Sequence, residues 1–180
     1  IPYEERKNWE QFWMVDPLDG TKEFIKKNGE FTVNIALIER GKPVLGVVYA
    51  PVLDKMYYTL HREAAVMEER GFAYELKPAH GSTVHNIVAS RSHKSQETEE
   101  FLANYPDAEV LSMGSSLKFM LLAEGKAQLY PRFAPTMEWD TAAAHAVVES
   151  MGYKVYIKGE SIPLSYNKPN LLNPHFICFS

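Results

Sequence analysis

Thiols are almost absent from this chain. Cys178 is the only cysteine in 180 residues, which excludes a disulfide scaffold. Glycine (10) and proline (11) are few and aromatics reach 12%, which excludes a collagen-like or disordered chain. No apolar run approaches the ~18 residues of a spanning helix. No dense Lys/Arg tract occurs and the net charge is −4, which argues against a general nucleic-acid binder. The opening Ile1-Pro2-Tyr3-Glu4-Glu5 lacks the basic leader and apolar stretch of a signal peptide. With the lone thiol, that predicts a protein of the reducing cytoplasm. The six histidines show no HxxxH or HExxH spacing, and no GxSxG, P-loop or GxGxxG is found. What is present is ordinary globular composition, 46% apolar and 23% charged. A chain of this length buries roughly 70% of its unfolded surface and needs no staple to fold.

The pattern predicts strands over Phe12–Val15, Phe31–Ile38, Pro43–Tyr49 and Lys55–Leu60, the last three forming an antiparallel meander. A polar stretch over Ala79–Thr83 is the best internal boundary. It divides the chain into residues 1–82, mainly antiparallel strands, and residues 83–180, an α/β half. In the second half, strands are expected at Asn86–Ser90, Glu109–Ser112, Ala127–Tyr130 and Tyr153–Ile157. Helices are expected at Gln96–Asn104, Ser115–Glu124 and Asp140–Met151, the last with Asp140 as N-cap and Gly152 at C′. Cys178, within Phe176-Ile177-Cys178-Phe179, reads as a buried apolar residue rather than a nucleophile.

Three groups of residues can carry chemistry. Asp16-Pro17-Leu18-Asp19-Gly20-Thr21 puts two carboxylates on a tight turn after an apolar strand. Such oxygens suit a hard cation, and the Gly20 and Thr21 amides suit a phosphate oxygen. A plain Asp/Pro/Gly turn explains the same residues equally well. Trp139-Asp140-Thr141-Ala142-Ala143-Ala144 opens a helix with a carboxylate among small side chains, and alone it reads as a simple cap. Arg91, His93, Lys118 and Arg132 each stand at a strand end or helix start, where α/β proteins place ligand residues. Each also fits a charge that snorkels to the surface.

Trp13-Met14-Val15-Asp16-Pro17-Leu18-Asp19-Gly20-Thr21-Lys22-Glu23-Phe24 resembles the signature of the lithium-sensitive, Mg²⁺-dependent phosphatase superfamily typified by inositol monophosphatase. Trp139-Asp140-Thr141-Ala142-Ala143 resembles its second signature. Ser90-Arg91-Ser92-His93, Gly114-Ser115-Ser116-Leu117-Lys118-Phe119 and Leu129-Tyr130-Pro131-Arg132-Phe133 look most like its bacterial 3′(2′),5′-bisphosphate nucleotidase branch. The resemblance implies an α/β fold, a layered αβαβα sandwich lacking its N-terminal part. It makes residues 1–82 the remainder of the metal-binding half and residues 83–180 the half with substrate-binding residues. It implies that Asp16, the Leu18 carbonyl, Asp19 and Asp140 bind two or three Mg²⁺ ions, with Li⁺ inhibitory. Thr21, Asp16 and Asp19 would serve catalysis, Thr21 by helping to orient the attacking water. Gly20, Thr21, His93, Ser115, Lys118, Arg132 and Asp140 would contact the substrate.

The expected reaction is hydrolysis of adenosine 3′,5′-bisphosphate to AMP and phosphate, supporting sulfate assimilation and nucleotide recycling. The alternatives are an inositol or sugar-phosphate phosphatase, or an inactive fragment acting only in binding. The expected partner is a small nucleotide, with neither nucleic acid nor a transmembrane segment. The expected location is the cytoplasm, with peripheral attachment to the inner membrane as the alternative. Family members carry about 80 further residues before the first signature, including a Glu ligand in a Glu-Glu pair. Glu4-Glu5 and Glu10 stand too close to Asp16 to be that pair, so the chain is expected to be truncated and impaired alone. Ala144 and the single glycine of Met151-Gly152-Tyr153 also depart from the family pattern.

Overall fold

The computed structural model describes residues 1–61, 63–77, 83–90 and 95–180. The polar stretch at 79–82 lies outside the described residues, as do Arg91 and His93. After a short helix α1 (Tyr3–Arg6), the chain forms β1 (Gln11–Asp19), α2 (Thr21–Lys26), β2 (Thr32–Glu39), β3 (Lys42–Ala50), β4 (Lys55–His61), β5 (Ala64–Glu69) and β6 (Phe72–Glu75). These six strands make one antiparallel sheet in the order β1-β2-β3-β4-β5-β6. The meander is thus longer than the sequence pattern predicted. Arg40 (φ 49°) and Gly41 (φ 77°) form the left-handed pair that turns β2 into β3, and Arg70 (φ 52°) and Gly71 (φ 79°) repeat the device between β5 and β6.

The rest of the chain forms β7 (Asn86–Ala89), α3 (Gln96–Leu102), β8 (Glu109–Ser112), α4 (Leu117–Ala123), β9 (Leu129–Arg132), α5 (Glu138–Ser150), β10 (Lys154–Ile157) and β11 (Phe176–Phe179). The second sheet runs β10-β11-β9-β7-β8, parallel where β7 meets β8 and β9, antiparallel where β11 joins. β9 starts two residues later than expected, because the Lys126 and Ala127 amides turn back to the Leu121 carbonyl to finish α4. Cys178 is fully buried in β11.

Helices α4 and α5 lie against each other between the two sheets, α5 on β2 and β3, α4 on β7 and β9. Alternation along β2 turns Thr32, Asn34, Ala36 and Ile38 inward. Ala36 and Ile38 join Val48, Leu122, Ala143 and Val147 in one apolar cluster. A Cβ on Gly46 of β3 would meet the Ala143 carbonyl oxygen at 2.0 Å, so only glycine lets the α5 backbone sit this close. Gly152, at φ 88°, ends α5 as expected. The entrance of α5 is tied down by a buried carboxylate. Glu138, 0% exposed, accepts the Asn167 amide (2.7 Å), the Lys168 amide (3.0 Å) and Lys168 Nζ (2.6 Å). Arg6 of α1 donates to Asn167 Oδ1 (2.8 Å) and to the Pro169 carbonyl (3.2 Å). No helix among the described residues is long and apolar enough to cross a membrane.

Candidate active site

The acidic end of β1 is bent out of its ladder. Asp16 pairs with Asn34 and Asp19 with Thr32, and the register shifts between them, so Pro17 and Leu18 stand outside the pairing. Proline suits that place because it has no amide to offer a ladder. Asp16 Oδ1 accepts the Leu18 amide at 3.0 Å, closing a turn within the motif. Gly20 follows at φ 89°, where an added Cβ would lie 3.2 Å from Ser115 Cβ and 3.3 Å from the Glu30 carbonyl oxygen. The Phe24 amide then bonds the Gly20 carbonyl at 3.0 Å and α2 begins.

The third carboxylate comes from α5. Asp140 is not the N-cap that the sequence pattern predicted: the helix starts at Glu138 and Met137 holds the cap position. Burial of Glu138 against Asn167 and Lys168 draws the helix start forward. Asp140 Oδ2, in the first turn, accepts the Met137 amide at 2.8 Å.

One oxygen from each of Asp16, Asp19 and Asp140 lies within 4.8 Å of the others. Burial pushes the Asp140 carboxyl up to about 6; the Met137 amide opposes this, and the charges of Asp19 and Asp16 add to it. Asp16 is raised in the same way, by burial and by Asp19, against the Leu18 amide. Three carboxylates held so close repel one another, and a cation among them removes that cost. A donor set of carboxylate oxygens alone suits a hard dication such as Mg²⁺, so the residues fit the ion that the resemblance implies.

Beside the carboxylates opens a cavity of about 150 Å³, whose walls include Asp19, Gly20, Glu30, Lys118, Arg132 and Asp140. Lys118, 7% exposed, donates to the Ser115 carbonyl at 2.7 Å and lies 5.9 Å from the Tyr130 ring. Burial, then the neighbouring Arg132, lowers its ammonium to about 8. Arg132 gives one Nη2 contact to the Pro135 carbonyl at 3.1 Å, while its buried Nε has no partner among the described residues. Two cations thus face a polar cavity with donors to spare, which suits an anionic ligand.

The remaining expected residues are placed less directly. Thr21 opens α2 on the surface and is not among the cavity's lining residues. Ser115 holds a left-handed φ of 53° and spends its hydroxyl on Asp19 Oδ2 (2.5 Å) and Thr32 Oγ1 (2.6 Å). His93 lies outside the described residues. Sequence reasoning missed Glu30, whose carboxylate accepts the Gly114 amide at 2.8 Å, and the polar group of Thr32, Asn34 and Ser116 behind Asp19. No sequence signal marked them: alternation along β2 reads as Val33, Ile35 and Leu37 facing inward, whereas the fold buries Thr32 and Asn34 on the opposite side.

The model of the inositol monophosphatase family matches residues 3–175. The chain is 52% identical over 175 residues to the 3′(2′),5′-bisphosphate nucleotidase CysQ of Salmonella typhimurium, covering 97% of this chain and 70% of that protein. It is 51% identical to CysQ of Escherichia coli K12, with the same coverage. The crystal structure of CysQ from Bacteroides thetaiotaomicron, a bacterial member of the inositol monophosphatase family, superposes with a TM-score of 0.92. That pair is 45% identical, over 100% of this chain and 73% of that one.

Proposed function

The chain belongs to the inositol monophosphatase family, and from that premise we propose that it is a phosphoric monoester hydrolase that converts adenosine 3′,5′-bisphosphate to AMP and phosphate. The observation that carries the reading is the meeting of Asp16 and Asp19 with Asp140, beside a cavity walled by Lys118 and Arg132. The relatives named bisphosphate nucleotidases support the substrate, and their name is consistent with a part in sulfate assimilation.

Asp16, Asp19, Asp140 and the Leu18 carbonyl would hold two or three Mg²⁺ ions, with Li⁺ as an inhibitor. Held there, such an Mg²⁺ ion would supply a water of lowered pKa and charge neutralisation for the phosphoryl group. The chain's own residues do the rest. Gly20 and Thr21 offer amides to the phosphate undergoing attack, and Thr21 orients the attacking water. Lys118 and Arg132 meet the substrate's second phosphate by charge-assisted hydrogen bonds. Ser115 and His93 complete the nucleotide contacts. Little covalent work falls to the protein, since phosphoryl transfer depends mainly on position and electrostatics.

Phosphate release from adenosine 3′,5′-bisphosphate and from inositol 1-phosphate, with and without Mg²⁺, tests the reading. Mg²⁺-dependent preference for the bisphosphate is expected. Preference for the inositol ester would favour the sugar-phosphate alternative, and binding of the bisphosphate without turnover would leave a binding role only.

A further inference from the structure

Thr32 and Asn34 occupy the buried side of β2, in a register otherwise filled by Ala36 and Ile38. Asn34 is 1% exposed and Ser116 2%. Polar groups buried this deeply are costly unless they bond one another. Asn34 Nδ2 donates to Ser116 Oγ at 3.0 Å and lies 3.4 Å from Asp19 Oδ2. Turned over, the amide would aim its oxygen at that carboxylate. The present orientation holds even though it leaves Asn34 Oδ1 buried with no partner among the described residues.

Ser116 sits where three segments meet. Its amide donates to Asp19 Oδ2 at 2.8 Å, and its hydroxyl lies 3.0 Å from the same oxygen and 2.7 Å from the Asp140 carbonyl. With Asn34 on the acceptor side, the single hydroxyl proton serves one of those two oxygens, and the Asp140 carbonyl is the nearer. The described hydrogen bonds to the Asp19 carboxylate, from Ser115, Ser116, Thr32 and Asn34, all reach Oδ2. An oxygen engaged so fully has no lone pair to give a cation, and Oδ1 is left for the acidic cluster.

We infer that Ser116 is a positioning residue of the reaction: its hydroxyl and amide tie the Asp19 carboxylate to the main chain of Asp140 and so decide which Asp19 oxygen faces the cation. This rests on the divalent-cation reading of the three carboxylates. Partners behind a metal ligand typically contribute ~10- to 100-fold in metal affinity. Asp16 has no contact with Ser116 among the described hydrogen bonds, so loss of the hydroxyl loosens Asp19 against Asp140 and leaves the Asp16 turn intact.

The test is direct binding of Mn²⁺, a hard dication like Mg²⁺, followed by the electron paramagnetic resonance of the free ion. Wild type, Ser116→Ala and Ser116→Thr are compared, with melting in EDTA as the check on folding. Ser116→Ala is expected to weaken Mn²⁺ binding about 10- to 100-fold, with Ser116→Thr recovering most of it. The Mg²⁺ concentration for half-maximal phosphate release should rise by the same factor, and kcat at saturating Mg²⁺ should change far less. Mn²⁺ binding by Ser116→Ala within about twofold of wild type overturns the proposal. So does a well-folded Ser116→Thr that binds as weakly as the alanine variant, because the hydroxyl is then not what matters. Should Ser116→Ala not fold, Ser116→Cys keeps the volume with only a weak donor and decides by the same criterion. A wild-type chain that binds no Mn²⁺ sinks the cation reading itself, whereas equal binding in wild type and Ser116→Ala sinks this assignment alone.

Discussion

Gly46 and Ala143 stand so close that a Cβ on the glycine would lie 2.0 Å from the alanine's carbonyl oxygen. The obstacle is backbone, so no rotamer change relieves it. Gly46→Ala is therefore expected to cost at least the ~1–3 kcal/mol of overpacking. Because α5 carries Asp140, the loss should be accompanied by weaker cation binding. Urea unfolding at constant m-value reads the first effect, and Mn²⁺ binding the second. An unchanged midpoint would mean that the helix rests on the sheet less tightly than described.

The acidic cluster predicts a pH dependence whose sign is fixed. Burial raises the Asp140 carboxyl in the folded protein from its ordinary 3.8 to about 6. Between those values the folded chain keeps a proton that the unfolded chain has lost, so stability falls as pH rises through that window, and the cost is complete above about 6. Asp140→Asn removes the cost while its amide oxygen can still accept the Met137 amide. In EDTA at pH 8 the variant should be more stable than wild type by at most about 3 kcal/mol, less to the extent that solvent screens the partly exposed carboxylate. Near pH 4 the gain should nearly vanish. In saturating Mg²⁺ the order should reverse, and Mg²⁺-dependent hydrolysis should be lost. Unfolding curves across this range, with no stabilisation at pH 8, would show that repulsion at the cluster is slight.

Lys118 and Arg132 separate substrates with two phosphates from those with one. Charged hydrogen bonds of this kind contribute roughly 1.5–3 kcal/mol each, or about 10- to 150-fold. Lys118→Met and Arg132→Met should each raise KM for adenosine 3′,5′-bisphosphate by about that factor and barely alter hydrolysis of a simple phosphomonoester. Burial and Arg132 hold the Lys118 ammonium near about 8, and below that pH it carries the charge that binds phosphate. Wild-type kcat/KM for the bisphosphate should thus fall as pH rises through about 8. The methionine variant at position 118 should lose that step. Equal losses on both substrates would point to damage at the carboxylates instead.

Glu138 is fully buried with Lys168 as its charged partner. Glu138→Ala leaves the Asn167 and Lys168 amides without their acceptor, and leaves the ammonium with neutral acceptors, the Ser165 carbonyl and Asn173 Oδ1, in place of its counter-charge. Breaking a buried pair from one side typically costs about 3–5 kcal/mol, and calorimetric melting should show it. A loss under about 1 kcal/mol would mean that water satisfies those donors as well as the carboxylate does.

The meander's first strands were legible because Val33, Ile35 and Leu37 alternate with their neighbours and Arg40-Gly41 supplies a hairpin turn. β5 was not: Ala64-Ala65-Val66-Met67-Glu68-Glu69 is rich in good helix formers. Pairing with β4 overrides that preference, and only Arg70-Gly71 signals the return. Asp140 was legible as the opening of a helix but misplaced by one turn's bookkeeping. The cause lies in Asn167 and Lys168, which no local pattern connects to Glu138. The candidate ligands were legible as motifs, but their convergence depends on α5 docking over Gly46. Asn34 and Ser116 belong to neither motif, and burial alone gives them weight.

The bonds from Arg6 to Asn167 and Pro169, and from Asn167 and Lys168 to Glu138, join three stretches far apart in sequence. None can detach without exposing the buried charge of another. The first turn of the chain, the 165–173 loop and the entrance of α5 should therefore breathe as one cooperative unit. In deuterium the Asn167 and Lys168 amides would exchange no faster than those of α5, although they lie in a loop. The stretch of chain beside Asp140 would then owe its quietness to residues that never approach the carboxylates.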